Sequence, residues 1–567
     1  MRKKTASETS GGLARLSRNR WPELVVGSAV VAAMTMALRP LGGGLSGHDL
    51  IWHVSRVLQW HRGLTDGVLY PRFFHDVFAA YGGPVMVFIP PLPYAVTEIF
   101  VAAGSGPVFA LELGVALFLV VGAVGVYFFA RPTLGGPAAA LSAAAYVVAP
   151  YRLLDAYVRL AYSELLATAL LPFALIVIRR VVIKTGGPAV VWGALGAASI
   201  ILTHASSTVF CLPLITAYGL WCIRGLESGS RRPAVVRLSA ALVLGFSLSA
   251  FYTGPAVFEQ RYSKLPEAFS ETYQPHEHLL WPTQLVKTDW DYGLSIPGPN
   301  DTMSFQLGWV HALALVAAAW LALRGRMPVR GEMRFWLAAA AVALFFMLQA
   351  SSWFWEVLPF LSVIQWPWRM MVIVALASSL AVGATVRLIS GSTPGAHAAL
   401  AVAVIALMLP SYYPFTFPAP PRVLDSQISP EMVRNPDFLR SEPMFMPRGA
   451  QMDTSPGPRA TVISGSADLE ILDDRTHLLV AQVAAHGPAA VRFRIYAFPG
   501  WRAAIDGQVS AIRRDEIGAI VVDVQDGRKL IVLKFGSTPL AKGSQVISLG
   551  ALIVAVATLL RRRRPPL

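Results

Sequence analysis

Long apolar runs alternate with short polar turns along most of the chain. Runs rich in Ala, Val, Leu, Ile and Phe fall at about 22–39, 107–130, 137–150, 165–178, 187–203, 207–223, 238–256, 307–323, 335–351, 370–386, 397–413 and 544–560. An α-helix rises about 1.5 Å per residue, so runs of this size approach or reach the ~30 Å of a bilayer's hydrocarbon core. Lys and Arg cluster at every second turn: before the first run, then at Arg131, Arg179–Lys184, Arg224–Arg237, Arg324–Arg334, Arg387 and Arg561–Arg564. That bias marks a cytoplasmic side and predicts about 12 transmembrane helices with both chain ends inside. A further apolar stretch, Pro90–Ala103, opens with PPLPY and ends at GSGP. As a full span it would put Arg131 outside and invert the charge rule. As a re-entrant or interfacial helix it keeps the rule.

Before the last run the periodicity changes from 3.6 to 2. ATVISG, LEIL, HLLVAQV, AVRFRIYAF, AIVVDV and KLIVLKF alternate apolar and polar positions, with turn signals at Asp506-Gly507 and Asp526-Gly527. Five to seven short strands of this kind predict a small extracytoplasmic antiparallel β-sandwich. The expected fold is therefore mainly α and polytopic, with that β-sandwich near the C-terminus. Its parts are a basic cytoplasmic tail (1–21), a transmembrane domain (22–413) whose first loop spans 40–106, a Pro-rich connector (414–458), the β-sandwich (459–542), and a last helix with a basic cytoplasmic tail (543–567).

Composition agrees with a membrane protein: of 567 residues, 54% are hydrophobic and 14% charged, with a mean hydropathy of +0.52. The net charge of +15 would suit nucleic acid if it formed one patch. It is instead dispersed among the cytoplasmic turns, which argues against nucleic-acid binding. The two cysteines, Cys211 and Cys222, share one apolar run, so neither a disulfide nor a cysteine metal site is expected. The N-terminus has a basic region and an apolar run without a small-residue cleavage site, the pattern of a retained signal anchor.

The chemistry-bearing residues collect on the extracytoplasmic side. The loop from Gly42 to Tyr94 gathers three Asp and four His among aromatics. Its first part predicts an amphipathic helix with Asp49, His53, Arg56 and Trp60 on one face and Leu50, Val54 and Val57 on the other. Asp49 at its start is either an N-cap or a catalytic carboxylate. In 151–164, Arg152, Asp155 and Arg159 share the spacing of one helix face and Glu164 follows. These charges either pair among themselves or serve a site. His204 ends a run in THASS, and His276 and His278 flank Glu277 in a weak metal pattern whose spacing suits a strand. In IQWPWR, Gln365 and Arg369 stand among tryptophans. There Arg369 is either an interface anchor or a grip for a lipid phosphate.

The loop carrying HD, LYPR, YGGPV and PPLPY, together with APYRLLDAYVRLAYSE, TH, QWPWR and FPGWRAAIDG, resembles the polytopic bacterial family labelled 6-pyruvoyl-tetrahydropterin synthase-related. It is similar to lipoteichoic-acid-glycosylating membrane proteins and, more distantly, to the GT-C glycosyltransferases. The resemblance runs from about residue 21 to 560. It implies a transferase in a bacterial cytoplasmic membrane that moves a sugar from a polyprenyl-phosphate donor to an envelope acceptor, with inversion, and places Asp49 at the family's acidic position in the first loop. No Gly-rich phosphate loop for a nucleotide is present. The expected catalytic residues are Asp49, His53, Asp155 and Glu164, and the expected substrate- and phosphate-binding residues are Arg152, Arg159, His204, Gln365 and Arg369. His48, Asp49, His276 and His278 are candidate ligands for a divalent metal (Mg or Mn), the one cofactor left open. Two other readings of the same residues are a flippase or transporter of a lipid-linked glycan and a non-catalytic envelope assembly protein.

Overall fold

The computed structural model describes residues 38–561 apart from 273, 289, 328–329, 390–393, 413–420, 430–431 and 433–442, with 27 and 34 described singly before them. The expected first membrane run therefore lies almost wholly outside the described residues. The first loop contributes α1 (Leu50–Thr65) and α2 (Leu92–Ala102). A helical domain follows: α3 (Pro107–Leu134), α4 (Gly136–Val147), α5 (Pro150–Tyr157), α6 (Tyr162–Ile183), α7 (Gly187–Ile201), α8 (Ala205–Arg224), α9 (Ser228–Leu248) and α10 (Ala250–Phe258). Then come α11 (Trp309–Leu323), α12 (Arg330–Met347), α13 (Met371–Ile389), α14 (Pro394–Tyr412) and, after the β-domain, α15 (Pro539–Arg561).

Local sequence sets many of these starts. Proline stands in the first turn of α2, α3, α4, α5 and α7, where its missing N–H costs no helix hydrogen bond and its fixed φ suits the helix. Helix packing then depends on small residues. A Cβ on Gly245 of α9 would stand 2.8 Å from both Ala194 O and Ala197 Cβ of α7, so the two backbones approach as only glycine permits.

Five described segments are long and apolar enough to cross a membrane: Pro107–Leu134, Tyr162–Ile183, Ala205–Arg224, Pro367–Arg387 and Pro539–Arg561. A sixth follows if α9 and α10, bent by 70°, are one broken span. The protein is thus a multi-pass membrane protein, and its helices fall where the apolar runs predict them. The expected count of 12 is not reached by length. α4, α7, α11 and the apolar part of α14 are short helices, and α12 carries Arg330, Glu332 and Arg334 in its first turns. The Pro367–Arg387 segment is enclosed by protein along its whole apolar window, whereas Pro539–Arg561 is mostly exposed. Val546, Leu549 and Ile553 of α15 are left for lipid to cover.

The 11 residues of α2 span about 16 Å, roughly half the hydrocarbon thickness. The chain turns back at Gly104 (φ +97) into α3, which at 28 residues reaches about 42 Å. Residues 105 and 133 therefore lie at opposite ends of a spanning helix. A Ser105→Cys variant is expected to react with a membrane-impermeant maleimide added from outside, and Thr133→Cys is not. The reverse pattern would show that α2 belongs to a full span.

The β-domain is a two-layer sandwich. Its strands are β1 (Ala460–Ser464), β2 (Ala467–Arg475), β3 (Leu478–Ala485), β4 (Ala489–Tyr496), β5 (Trp501–Ile505), β6 (Gln508–Ser510), β7 (Arg513–Arg514), β8 (Ala519–Val524) and β9 (Gly527–Phe535). One sheet has the order β1-β4-β8-β7 and the other β2-β3-β9-β5-β6. Nine strands form rather than five to seven, because the FPGWRAAIDG region and Arg513–Arg514 also pair. The Asp506-Gly507 signal closes a two-residue hairpin between β5 and β6, with both residues at positive φ. The Asp526-Gly527 signal instead links strands of different sheets. The alternation is real: Leu479, Ala481 and Val483 of β3 and Ile531 and Leu533 of β9 fill the inner face.

The sandwich sits on the first loop. Phe78, Ala79 and Ala80 follow one another at φ +54, +55 and +66, a left-handed run costing about 1–2 kcal/mol per non-glycine residue. β-domain arginines hold it: Arg494 Nε donates to Ala79 O at 2.8 Å and Arg459 donates to Ala80 O. The Tyr496 amide donates to Tyr81 O at 2.8 Å, and the Tyr81 and Tyr496 rings stack at 4.7 Å.

Candidate active site

One cavity of about 540 Å³ collects residues from widely separated parts of the chain, among them His48, Asp49, Arg159, His204, Trp366 and Arg369. The volume suits a small-molecule site. Its outer wall is apolar, with Phe88, Leu265, Phe269, Met303, Met444 and Phe445.

Asp49 and Arg56 bring the polar face of α1 to the cavity, with His53 in the wall. Leu50, Val54 and Val57 are buried on the opposite side, where α1 packs on α2 and α3. The apolar stripe therefore meets protein rather than lipid. Trp60 packs against Tyr70, away from the cavity. The backbone of α1 is fixed at its start: His48 N and Asp49 N donate to Val158 O and Arg159 O at 3.1 and 2.9 Å. Asp49 occupies the N-cap position without any side-chain capping bond, so its half-buried carboxylate is left to the cavity. Burial raises the carboxyl above its ordinary 3.8, while Arg159, Arg56, Arg369 and His48 pull it back.

His53 is differently placed. Its Nδ1 lies 2.9 Å from the Tyr94 hydroxyl, which also accepts from Arg56 at 2.9 Å, and its ring is hydrogen-bonded to the Leu160 carbonyl. Burial, with Arg56 close by, holds it well below its ordinary 6.5. With both nitrogens engaged, His53 braces the cavity wall and offers no base.

The 151–164 segment divides. Arg159 Nη1 donates to Asp155 Oδ1, to Tyr151 Oη at 3.1 Å and to Glu164 Oε2 at 3.2 Å, and its guanidinium lies 4.5 Å from the Trp368 ring centroid. Glu164 also accepts from Tyr151 at 2.6 Å and lies 3.4 Å from Arg369 Nε, so it is a strut between two arginines rather than a free acid. Arg152 and Asp155 are fully buried outside the cavity lining. Arg152 donates to Thr168 and stacks on Tyr146. Burial and then Glu164 push the Asp155 carboxyl well above its ordinary 3.8. Arg159 keeps the expected i,i+4 pairing with Asp155 but parts from Arg152, because α5 ends at Tyr157. Leu160 follows at φ +50, and an inverse γ-turn at Ala161 (φ −73°, ψ 63°) closes with Tyr162 N donating to Leu160 O at 2.7 Å.

Across the cavity, Gln365 stands at φ 64°, ψ −50°, with Trp366 N donating to Ile364 O at 2.7 Å. This is the rare classic γ-turn, a strained form costing of order 1–3 kcal/mol. It aims two acceptors at Arg369, whose Nη1 donates to Gln365 Oε1 at 2.7 Å, Ile364 O at 3.0 Å and Ser206 Oγ at 2.7 Å. Arg369 is only 8% exposed, too enclosed for an interface anchor. Arg159 and Arg369 share one arrangement. Each fixes itself through Nη1, and among the described residues neither Nη2 has a hydrogen-bond partner.

His204 caps α8. Its Nδ1 accepts from Ser207 N at 3.3 Å, so the neutral ring carries its proton on Nε2. Burial and then Arg369 lower its pKa to about 3, so at neutral pH it is an uncharged donor. The metal candidates do not converge. His48 Nε2 lies 2.9 Å from Tyr292 O, His278 Nδ1 lies 3.0 Å from Ser295 Oγ, and His276 and His278 lie on a 3₁₀ turn rather than a strand. Among the described residues no group of three or more His, Cys, Asp or Glu can hold a metal ion. The three guanidiniums near Asp49 suit an anion better than a divalent cation.

Arg56, Trp52 and Ser206 are cavity residues that the sequence did not single out as site residues. Arg56 lay on the Asp49 face and Ser206 two residues from His204, so neighbourhood was the available signal.

No family model and no curated protein matches the chain, so the pterin-synthase-related resemblance gains no support there. Among solved structures it is similar to arabinofuranosyltransferase AftD from Mycobacteria, at 15% sequence identity over 70% of this chain and 27% of that one, with a TM-score of 0.42. It is also similar to the oligosaccharyltransferase AglB from Archaeoglobus fulgidus in complex with an inhibitory peptide and a dolichol-phosphate, at 14% identity, 74% and 60% coverage and a TM-score of 0.40. A third is ArnT from Cupriavidus metallidurans bound to undecaprenyl phosphate, at 17% identity, 65% and 60% coverage and a TM-score of 0.36. The chain spans less than two thirds of each. Likeness this distant decides no chemistry, which rests on the cavity itself.

Proposed function

We propose that the protein is a GT-C-type glycosyltransferase of a bacterial cytoplasmic membrane, moving a sugar from a polyprenyl-phosphate carrier to an acceptor on the extracytoplasmic side. The observation that carries this reading is the meeting, in one cavity, of a carboxylate without a capping bond (Asp49) and two arginines, Arg159 and Arg369, whose Nη2 groups have no hydrogen-bond partner among the described residues.

Asp49 accepts the proton of an acceptor hydroxyl as its oxygen attacks the anomeric carbon. The bond from that carbon to the phosphate oxygen breaks on the opposite face, so the sugar inverts and the lipid phosphate leaves with the electron pair. A phosphate is a weak base and needs charge stabilisation rather than a proton. Arg369, Arg159 and the Nε2–H of His204 supply it. Among the lining residues Arg56, Arg159 and Arg369 outnumber Asp49 and Glu164, so the cations exceed the carboxylates until an anion binds. Every lining residue comes from segments that the charge rule puts outside, which favours a transferase over a transporter needing a path inward.

Reconstituted protein supplied with polyprenyl-phosphate monosaccharides is expected to release carrier phosphate and form an inverted glycoside, read by mass spectrometry and NMR. Flipping of the labelled carrier without glycosidic product would replace this reading with the transporter. The rate constant kcat/KM is expected to rise with pH through an acid limb above 3.8, because the base acts only when ionised and burial raises Asp49. A limb at or below that value would remove Asp49 from the role of base.

A further inference from the structure

The β-sandwich is tied to the far end of α1 by a continuous chain of polar contacts. Gln59 Nε2 of α1 donates to Asp76 Oδ2 at 2.7 Å, and the Asp76 amide returns a bond to Gln59 Oε1 at 3.0 Å. Arg62 of α1 donates to both Asp76 oxygens. The His75 ring lies between two carboxylates, with Nδ1 2.8 Å from Asp76 Oδ1 and Nε2 2.7 Å from Asp474 Oδ1 of β2. Arg459 donates to Asp474 at 3.2 Å and to Ala80 O in the left-handed run. At the end of the helix, Asp66 accepts the Thr476 amide at 2.7 Å. His75 and Asp76 are buried. Burial alone would raise the Asp76 carboxyl, but His75, Arg62 and Gln59 outweigh it and hold the group well below the usual carboxylate range. The carboxylate is therefore charged and engaged on every side.

These contacts touch no cavity residue, yet they fasten the same helix that carries Asp49, His53 and Arg56 to the cavity. The helix start is held separately, by Val158 O and Arg159 O. A 16-residue helix pinned at both ends has little freedom to tilt, and a small misplacement of a reacting group costs rate steeply. We infer that the β-sandwich is a positioning element for the site: through Asp474, His75 and Asp76 it fixes the orientation of α1 and thereby where Asp49 stands. This rests on the transferase reading for its kinetic consequence, but the mechanical link is independent of it.

The test uses full-length protein in nanodiscs with Asp474→Ala, which removes the Asp474–His75 link while the Asp66–Thr476 bond stays, and Asp474→Asn, which keeps an acceptor oxygen in the same place. Asp474→Ala is expected to lower kcat at least about tenfold with donor KM within about twofold, and Asp474→Asn to restore most of the loss. Hydrogen exchange is expected to accelerate in the amides of residues 57–66 in Asp474→Ala, with β3 and β9 still protected. Unchanged exchange in α1 would overturn the link whatever the protein catalyses. A loss of β3 and β9 protection together with kcat would reduce Asp474 to a fold-stabilising residue. If α1 loosens as expected but wild-type protein transfers sugar from no lipid-linked donor, the link stands and the transferase reading fails.

Discussion

Asp49→Asn is expected to abolish at least about 100-fold of transfer, the lower range for losing a general base, in a protein that folds and binds donor normally. The residue stands at an N-cap position, where removing a capping side chain usually costs about 1 kcal/mol. Here the carboxylate makes no capping bond, so stability has little to lose. Asn matches Asp in size and keeps one acceptor oxygen, but cannot take the proton of the attacking hydroxyl. Removing the negative charge beside Arg56, Arg159 and Arg369 should leave donor binding equal or tighter, because the phosphate no longer competes with a carboxylate for them. A fall in kcat with unchanged or lower donor Kd in nanodiscs is therefore the signature. Wild-type turnover in Asp49→Asn would return the residue to a place in the cavity wall without chemistry.

The parts of this site that could be read from sequence were those with a period. α1 announced its cavity face through Asp49, His53 and Arg56 at helical spacing, and the clustering of Lys and Arg placed each polar segment on a side. A common side was enough to expect Asp49, Arg152 or Arg159, His204 and Arg369 near one another despite wide separation in the chain, and of the two alternatives Arg159 lines the cavity. What periodicity cannot carry is the point where a helix stops. Arg152 and Arg159 were placed on one face by extrapolating a helix that ends at Tyr157, and the turn at Leu160 sends them to different places. The strained turn at Gln365 likewise has no signature in residue type, yet it gives Arg369 its geometry. His53 fits its predicted face and still makes no base, because Tyr94 and Leu160, neither on α1, consume its nitrogens. The β-sandwich was legible from alternation, but its bond to α1 runs through His75 and Asp76, whose partner Asp474 lies nearly 400 residues away.

Arg369→Ala is expected to lower kcat by about 100- to 1,000-fold, the usual consequence of deleting one donor to a developing negative charge, and Arg369→Lys to lose a large part of the same factor. The guanidinium divides its work between its two ends. Nη1 is consumed by Ser206, Ile364 and Gln365, which lock the planar group. Nη2 makes no hydrogen bond among the described residues, as in Arg159, and both arginines line the cavity, so two forks are available to one anion. Lysine has a single ammonium and cannot both hold the strained turn and reach the phosphate. The charge is retained, so donor affinity should change little. Turnover should drop, because stabilisation needed mainly as the phosphate leaves acts on the transition state rather than on the bound donor. Ser206→Ala separates the two tasks. It removes one bond that orients Arg369 but leaves Nη2 in place, and is expected to cost turnover much less than Arg369→Lys. The measurements are kcat at saturating lipid-linked donor and donor Kd in nanodiscs for the three variants. Equal turnover for wild type and Arg369→Lys would show that the group supplies only charge to the cavity wall. A loss confined to donor affinity would place Arg369 in ground-state binding and leave Arg159 and His204 to stabilise the departing phosphate.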